Sequence, residues 1–144
     1  MAAATWNHSA AVGEDGALFV WGLGDDGRLR TGDTANRLAP TRVAGLPAPV
    51  RQVAAGVVHT GIVTDAGDLL MCGDGRNGRL GLGDEGNRMT PTLVVRAVFD
   101  GEAVLMVACG EEYTATVTEG GGVYTFGRGN DCLLYTSPSP RDRG

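Results

Sequence analysis

No lysine occurs in this 144-residue sequence; all 12 basic residues are arginine, scattered against 17 acidic residues for a formal net charge of −5. Charge-driven binding of nucleic acid needs clustered basic side chains that neutralise phosphates, so no nucleic-acid partner is expected for this portion. An acidic surface favours solubility and a basic patch on a protein partner. Aromatic residues are scarce at 6%, which suits many short strands better than long, heavily packed helices. Long apolar runs are missing too. None nears the ~18 residues of a membrane span, and Met1 to Trp6 lacks the basic start and apolar stretch of an export signal. No membrane partner is expected, and the chain reads as intracellular, cytoplasmic or nuclear. Cys72, Cys109 and Cys132 show neither an even count nor Cys-x-x-Cys spacing, which argues against a disulfide framework or a zinc site.

Glycine, by contrast, is abundant at 24 residues, and it falls in register. Trp21-Gly22-Leu23-Gly24-Asp25-Asp26-Gly27-Arg28-Leu29 recurs 51 residues later as Cys72-Gly73-Asp74-Gly75-Arg76-Asn77-Gly78-Arg79-Leu80. The same offset carries Gly32-Asp33 onto Gly83-Asp84, Asn36-Arg37 onto Asn87-Arg88, Pro40-Thr41 onto Pro91-Thr92 and His8 onto His59. A third copy follows at an offset of 54: Ala54-Ala55-Gly56 becomes Ala108-Cys109-Gly110, His59 becomes Tyr113, and Cys72-Gly73 becomes Phe126-Gly127. The three added residues fall between Pro91 and Ala103, where an insertion that keeps the register on both sides is expected in a surface loop.

Each copy reads as strands. Thr60 to Thr64 and Asp68 to Cys72 flank Asp65-Ala66-Gly67, a hairpin-length connection with glycine where positive φ is easiest, and Glu14-Asp15-Gly16 is its counterpart one copy earlier. Val50 to Ala54, or Ala103 to Ala108, adds an apolar strand, and Thr41 to Val43 a short one after the proline. No stretch holds a helical period long enough for a helix. The expectation is an all-β chain of β-propeller blades, about four antiparallel strands each, with roughly two and a half to three blades of an incomplete ring.

The series Gly22-x-Gly24-x-x-Gly27-x-Leu29, then Gly32-Asp33 and Pro40, with Gly56-Val57-Val58-His59 and an apolar hairpin ending in Trp21-Gly22, resembles the regulator of chromosome condensation repeat. The departures are Arg30 for a usual glycine, Thr5 where Gly56 and Gly110 stand, and Cys72 for the aromatic of Trp21. The resemblance covers about residues 5 to 131, as repeats 5–55, 56–109 and a truncated 110–131, and implies a seven-bladed ring of which this chain is a fragment. Stacked repeats need about three copies even for marginal stability, so a longer natural protein is expected. Beyond Asp131 the register is lost: Cys132 replaces the required glycine, and Leu133 to Asp142 reads as the translation of a sequencing adapter. Residues 132–144 are therefore set aside as an adapter-derived, non-native tail.

Motifs that elsewhere carry chemistry are absorbed by the repeat. Gly22 to Gly27 and Gly73 to Gly78 match the Gly-x-Gly-x-x-Gly dinucleotide fingerprint, but further glycines follow where the fingerprint needs a helix N-terminus for the pyrophosphate. No cofactor is expected. Asp25, Asp26, Asp33, Asp74 and Asp84 do not form a calcium loop; Asp33 and Asp84, each four residues before an arginine, read as turn residues with a local ion pair. His8 and His59 share one register and read as architectural, because an active site gathers unlike residues once. No catalytic constellation and no metal site are expected.

Residues that differ between copies at equivalent loop positions are better candidates for recognition than those that repeat. They are Asp25 and Asp26, Arg76 and Asn77, Arg128 and Asn130, and Glu111 and Glu112, the last pair standing where Val57 and Val58 stand one copy earlier. The expected role is a protein-interaction module of a larger repeat protein. What the resemblance implies is guanine-nucleotide exchange on a small GTPase, or scaffolding. The alternative it implies is the partner-recruiting propeller of a HECT-type ubiquitin ligase whose catalytic domain lies outside this chain.

Overall fold

In the computed structural model, residues 2–4, 8–22, 37–127 and 130–136 are described. Their strands form three four-stranded sheets, each a simple antiparallel meander in chain order. Blade 1 holds β1 (Ala2–Ala4), β2 (His8–Val12), β3 (Leu18–Gly22) and β4 (Arg37–Arg42). Blade 2 holds β5 (Val50–Ala55), β6 (His59–Thr64), β7 (Leu69–Gly73) and β8 (Arg88–Val94). Blade 3 holds β9 (Val104–Cys109), β10 (Tyr113–Thr118), β11 (Gly122–Gly127) and β12 (Asn130–Thr136). The propeller architecture is thus as the repeat implied. Its phase is one strand away from the sequence repeat, because Val50–Ala55 pairs with the strand that follows it rather than closing the first sheet.

The hairpins show why the turn chemistry repeats. Gly16, Gly67 and Gly121 all sit near φ +85° (82°, 85° and 85°), and each donates its N–H to the residue three earlier, Gly13, Thr64 and Thr118. A Cβ-bearing residue is strained in that left-handed well, so glycine closes all three turns. The first two turns also receive the next blade. Val50 N–H donates to the Gly16 carbonyl and Val104 N–H to the Gly67 carbonyl, both at 2.9 Å. The prolines Pro40 and Pro91 lie in the outermost strands β4 and β8, where a missing N–H removes no ladder bond.

Side-chain alternation gives each blade two faces, and the seams between blades hold the core. Ala10, Leu18 and Val20 of blade 1 pack with Val53, Ile62 and Leu70 of blade 2. Val63, Leu69 and Met71 on the other face of blade 2 pack with Val107, Tyr124 and Phe126 of blade 3. Blade 2, covered on both sides, is buried along the whole of β6 and β7. β10 instead alternates between buried and exposed residues.

Two connections differ from the sequence reading. The longer link into blade 3 is more than a surface loop: it forms a 3₁₀ turn at Arg96–Phe99 that drives Phe99, fully buried, into the seam. There its ring meets Tyr124 and Phe126 edge-on, with centroids 5.2 and 6.1 Å away. The three added residues supply the turn that lets an aromatic reach inward. The link from β11 to β12 is only residues 128–129, whereas residues 74–87 join β7 to β8. β12, from the segment set aside as non-native beyond residue 131, runs along β11 with Asn130 opposite Gly127. An open strand edge offers unpaired backbone groups that any extended segment can satisfy, so this pairing needs no repeat sequence.

Candidate functional site

The described loops that carry Arg76, Glu111 and Glu112 meet at the seam of blades 2 and 3, and the strands hold them by a fixed set of bonds. Gly56 N–H donates to the His59 carbonyl at 2.7 Å, making a tight turn before β6, and Gly110 does the same with Tyr113 at 2.8 Å. A Cβ on Gly56 would lie 2.5 Å from the Gly110 carbonyl oxygen and 2.8 Å from the His59 ring. The Gly-x-x-His spacing therefore lets the histidine fold back on its own turn while the next blade's backbone closes in.

That histidine bridges the blades. Thr114 Oγ1 donates to the Arg79 carbonyl at 2.6 Å, which uses its one proton, so the 2.9 Å contact with His59 Nε2 has the imidazole as donor. His8 and Thr60 repeat the contact across the first seam at 3.0 Å. Burial, and then the Arg79 charge, push the His59 pKa from 6.5 down to about 4, so the ring is neutral at pH 7. The architectural reading of both histidines matches this geometry, and Thr60 and Thr114, which the sequence reading passed over, are their repeated partners.

Arg79 is a second seam element. Only 4% exposed, it donates from Nε to the Arg76 carbonyl at 2.8 Å and from Nη1 to the Glu111 carbonyl of blade 3 at 3.1 Å. Its counterpart Arg28 in the first copy was the available signal. Beside it, buried Asp74 receives the Arg76 guanidinium, with Nε at 2.8 Å, and the Arg76 backbone N–H at 2.8 Å. Burial raises the Asp74 pKa, but these Arg76 bonds and the Arg79 charge outweigh it and hold the carboxyl below its ordinary value.

A shallow cleft of about 220 Å³ opens above these bonds, lined by Val57, Val58, Arg76, Arg79, Glu111 and Glu112. Three of the candidate recognition residues, Arg76, Glu111 and Glu112, meet there across the seam of blades 2 and 3. Asn77 belongs to the same 3₁₀ turn, Arg76–Gly78. Asp25, Asp26 and Arg128 lie outside the described residues. Asn130 is the first residue of β12, opposite Gly127.

Of the remaining motifs, Gly22 to Gly27 lies, beyond Gly22, outside the described residues. After Gly73 to Gly78 no helix follows; Gly78, Gly81 and Gly83 take φ of 70°, 69° and 83°, so no helix N-terminus faces this loop. Asp84 accepts from Arg88 Nη2 at 2.9 Å and from Gly86 N–H at 3.0 Å, the turn-plus-ion-pair arrangement read from sequence; Asp33 lies outside the described residues. Among the described residues no three His, Cys, Asp or Glu side chains are grouped to hold a metal ion, and no helix is long and apolar enough to cross a membrane.

Sequence comparison agrees with this geometry: the profile of the regulator of chromosome condensation (RCC1) repeat matches residues 15–63 and 66–117. The chain belongs to the RCC1 repeat family. It is 40% identical over 122 residues to the ultraviolet-B receptor UVR8 of Arabidopsis thaliana, covering 84% of this chain and 27% of that protein. It is 38% identical over 125 residues to the probable E3 ubiquitin-protein ligase HERC3 of Homo sapiens, covering 85% and 12%. The crystal structure of Prp20p from Saccharomyces cerevisiae, described with its binding properties to Gsp1p and histones, superposes with a TM-score of 0.75 at 26% identity, covering 88% and 32%. The chain thus spans about a third or less of each of these relatives.

Proposed function

We propose that this chain is a partner-binding part of a propeller protein, without chemistry of its own, and that the seam cleft is where a protein partner lands. One observation carries the reading. The residues that repeat, His8, His59 and Asp84, serve the blade architecture, and Arg76, held by Asp74, meets Glu111 and Glu112, which like it do not repeat, at one cleft on the seam. Binding loops on a fixed scaffold have this division of labour. The net charge of −5 and the paired glutamates favour a basic patch on the partner.

Within this reading, a small GTPase is the first partner to test, supported by the likeness to Prp20p, which is described as binding Gsp1p. The decisive measurement is nucleotide release from a Gsp1p-like GTPase in the presence of the full-length protein. Acceleration that weakens in Glu111→Lys/Glu112→Lys supports exchange through this cleft. No acceleration removes the exchange role and leaves scaffolding. The likeness to HERC3 favours a second reading, a propeller that recruits partners to a HECT-type ligase. That reading requires a further domain bearing a nucleophilic cysteine in the complete reading frame, and its absence there would remove it.

A further inference from the structure

The rim strand of blade 2 carries a bulge that the repeat sets and a hydroxyl that it does not. Met71 stands opposite Thr92 and Gly73 opposite Arg88, so Cys72 alone faces Met89, Thr90 and Pro91. Surplus residues in an edge strand are left unpaired and bend it out of the ladder. Blade 1 has the same irregularity: Val20 stands opposite Thr41 and Gly22 opposite Arg37, which leaves Leu38, Ala39 and Pro40 against Trp21. The bulge thus belongs to the blade, but its middle residue is Ala39 in one copy and Thr90 in the other.

Exposure singles out this threonine. Blade 2 has a blade on either side, and on its rim strand β8 Met89 and Thr90 are both exposed. Thr92, the other hydroxyl of β8, is half-buried, lies in the ladder opposite Met71 and donates to the Thr90 carbonyl at 3.1 Å. Pro91 follows Thr90 directly. Proline removes the next N–H and keeps the residue before it in an extended conformation. An exposed, extended hydroxyl followed by proline is the acceptor that a proline-directed protein kinase takes into its substrate groove.

We infer that Thr90 is a phosphorylation site for a proline-directed protein kinase, and that its phosphate draws Arg88 away from Asp84. In the transfer the Thr90 hydroxyl oxygen bonds to the γ-phosphorus of a nucleoside triphosphate as the bond from that phosphorus to the β–γ bridging oxygen breaks. The hydroxyl proton passes to the kinase's carboxylate base, and the nucleoside diphosphate leaves. The product carries about −1.5 to −2 charges and three acceptor oxygens. Arg88 stands two residues earlier on β8, roughly 6.5 Å along a strand, and its Nη2 is bonded to Asp84 Oδ2 at 2.9 Å. Both side chains of that pair are partly exposed, and an ion pair open to water is weak. A dianion beside it therefore competes for the guanidinium, and the β7–β8 loop loses a tie.

Treatment of the folded full-length protein with a purified mitogen-activated protein kinase and ATP tests this, with tryptic mapping of the product and a synthetic peptide of residues 84–96 as control. One phosphate is expected in the tryptic peptide 89–96, lost in Thr90→Val and in Pro91→Ala and kept in Thr90→Ser. Hydrogen exchange through residues 84–87 should quicken in the phosphorylated protein, and Arg88→Gln should show that faster exchange without the phosphate. A peptide that is phosphorylated beside a folded protein that is not overturns the inference, because the bulge then does not offer its hydroxyl. A peptide that the kinase ignores, phosphate on Thr92, or incorporation into 89–96 that survives Thr90→Val overturns it as well. Exchange through 84–87 that the phosphate leaves unchanged overturns the competition for Arg88.

Discussion

At the scale of single residues, His59 ties acid stability to the seam. Its folded pKa of about 4 lies below the unfolded 6.5, so the unfolded chain binds the proton first as pH falls. The stabilisation is therefore whole above pH 6.5, declines between 6.5 and 4, and is lost below that, by at most about 3 kcal/mol. Urea unfolding at pH 7.5 and 4.5 should show this loss in the wild type, and His59→Gln should remove most of the slope. A variant with the same slope would put the titration elsewhere. Gly56 and Gly110 share a register but not a neighbourhood. Gly56→Ala drives a Cβ against the Gly110 carbonyl, while a Cβ on Gly110 meets nothing nearer than the Tyr113 carbonyl at 3.7 Å. Thermal melting should show a cost of about 1–3 kcal/mol for Gly56→Ala and little for Gly110→Ala.

At the scale of elements, the link between β8 and β9 does more than connect. Its 3₁₀ turn ends at Asp100, in the left-handed region at φ 55°, where the carboxylate accepts from Tyr124 Oη at 3.3 Å. The turn thus aims Phe99 and is held by a residue of the core that Phe99 fills. Phe99→Ala should cost about 3–5 kcal/mol by chemical unfolding, with Phe99→Leu losing clearly less. Equal losses would mean that the turn, not the ring, provides the stability. In the β7–β8 loop, Gly78 at φ 70° closes a 3₁₀ turn beneath the candidate cleft. A β-branched residue is strained there, so Gly78→Val should lower the melting temperature by an amount corresponding to about 1–3 kcal/mol. Unchanged melting would count against that turn.

At the scale of the whole molecule, blades contact only their neighbours, so stability is close to a sum over sheets and seams. Gln52 shows how one side chain can couple two sheets. Gln52→Leu leaves the Val107 N–H and carbonyl without that partner and should cost about 1–3 kcal/mol, with hydrogen exchange quickening in β9 before β6. Uniform quickening across blades would indicate a single cooperative unit instead. Much of this was legible in the sequence because it is local. Glycine at a left-handed turn and the Asp84–Arg88 pair depend on backbone within a few residues, and a repeat states such rules more than once, whereas the strand read at Thr41 to Val43, after Pro40, is in fact Arg37–Arg42 with the proline inside it. The meeting of Arg76 with Glu111 and Glu112, the hydrogen-bond chain from His59 through Thr114 to the Arg79 carbonyl, and the burial of Phe99 were not legible. Each joins residues more than 20 positions apart across a seam, where the partner is set by how two sheets stack and not by neighbours in the chain. Local sequence sets the turns and most of the strands, whereas the blade boundary, one strand away from the repeat, follows from strand pairing. How the sheets stack settles which side chains close a seam and which line a cleft, because packing between sheets is what removes a side chain from water.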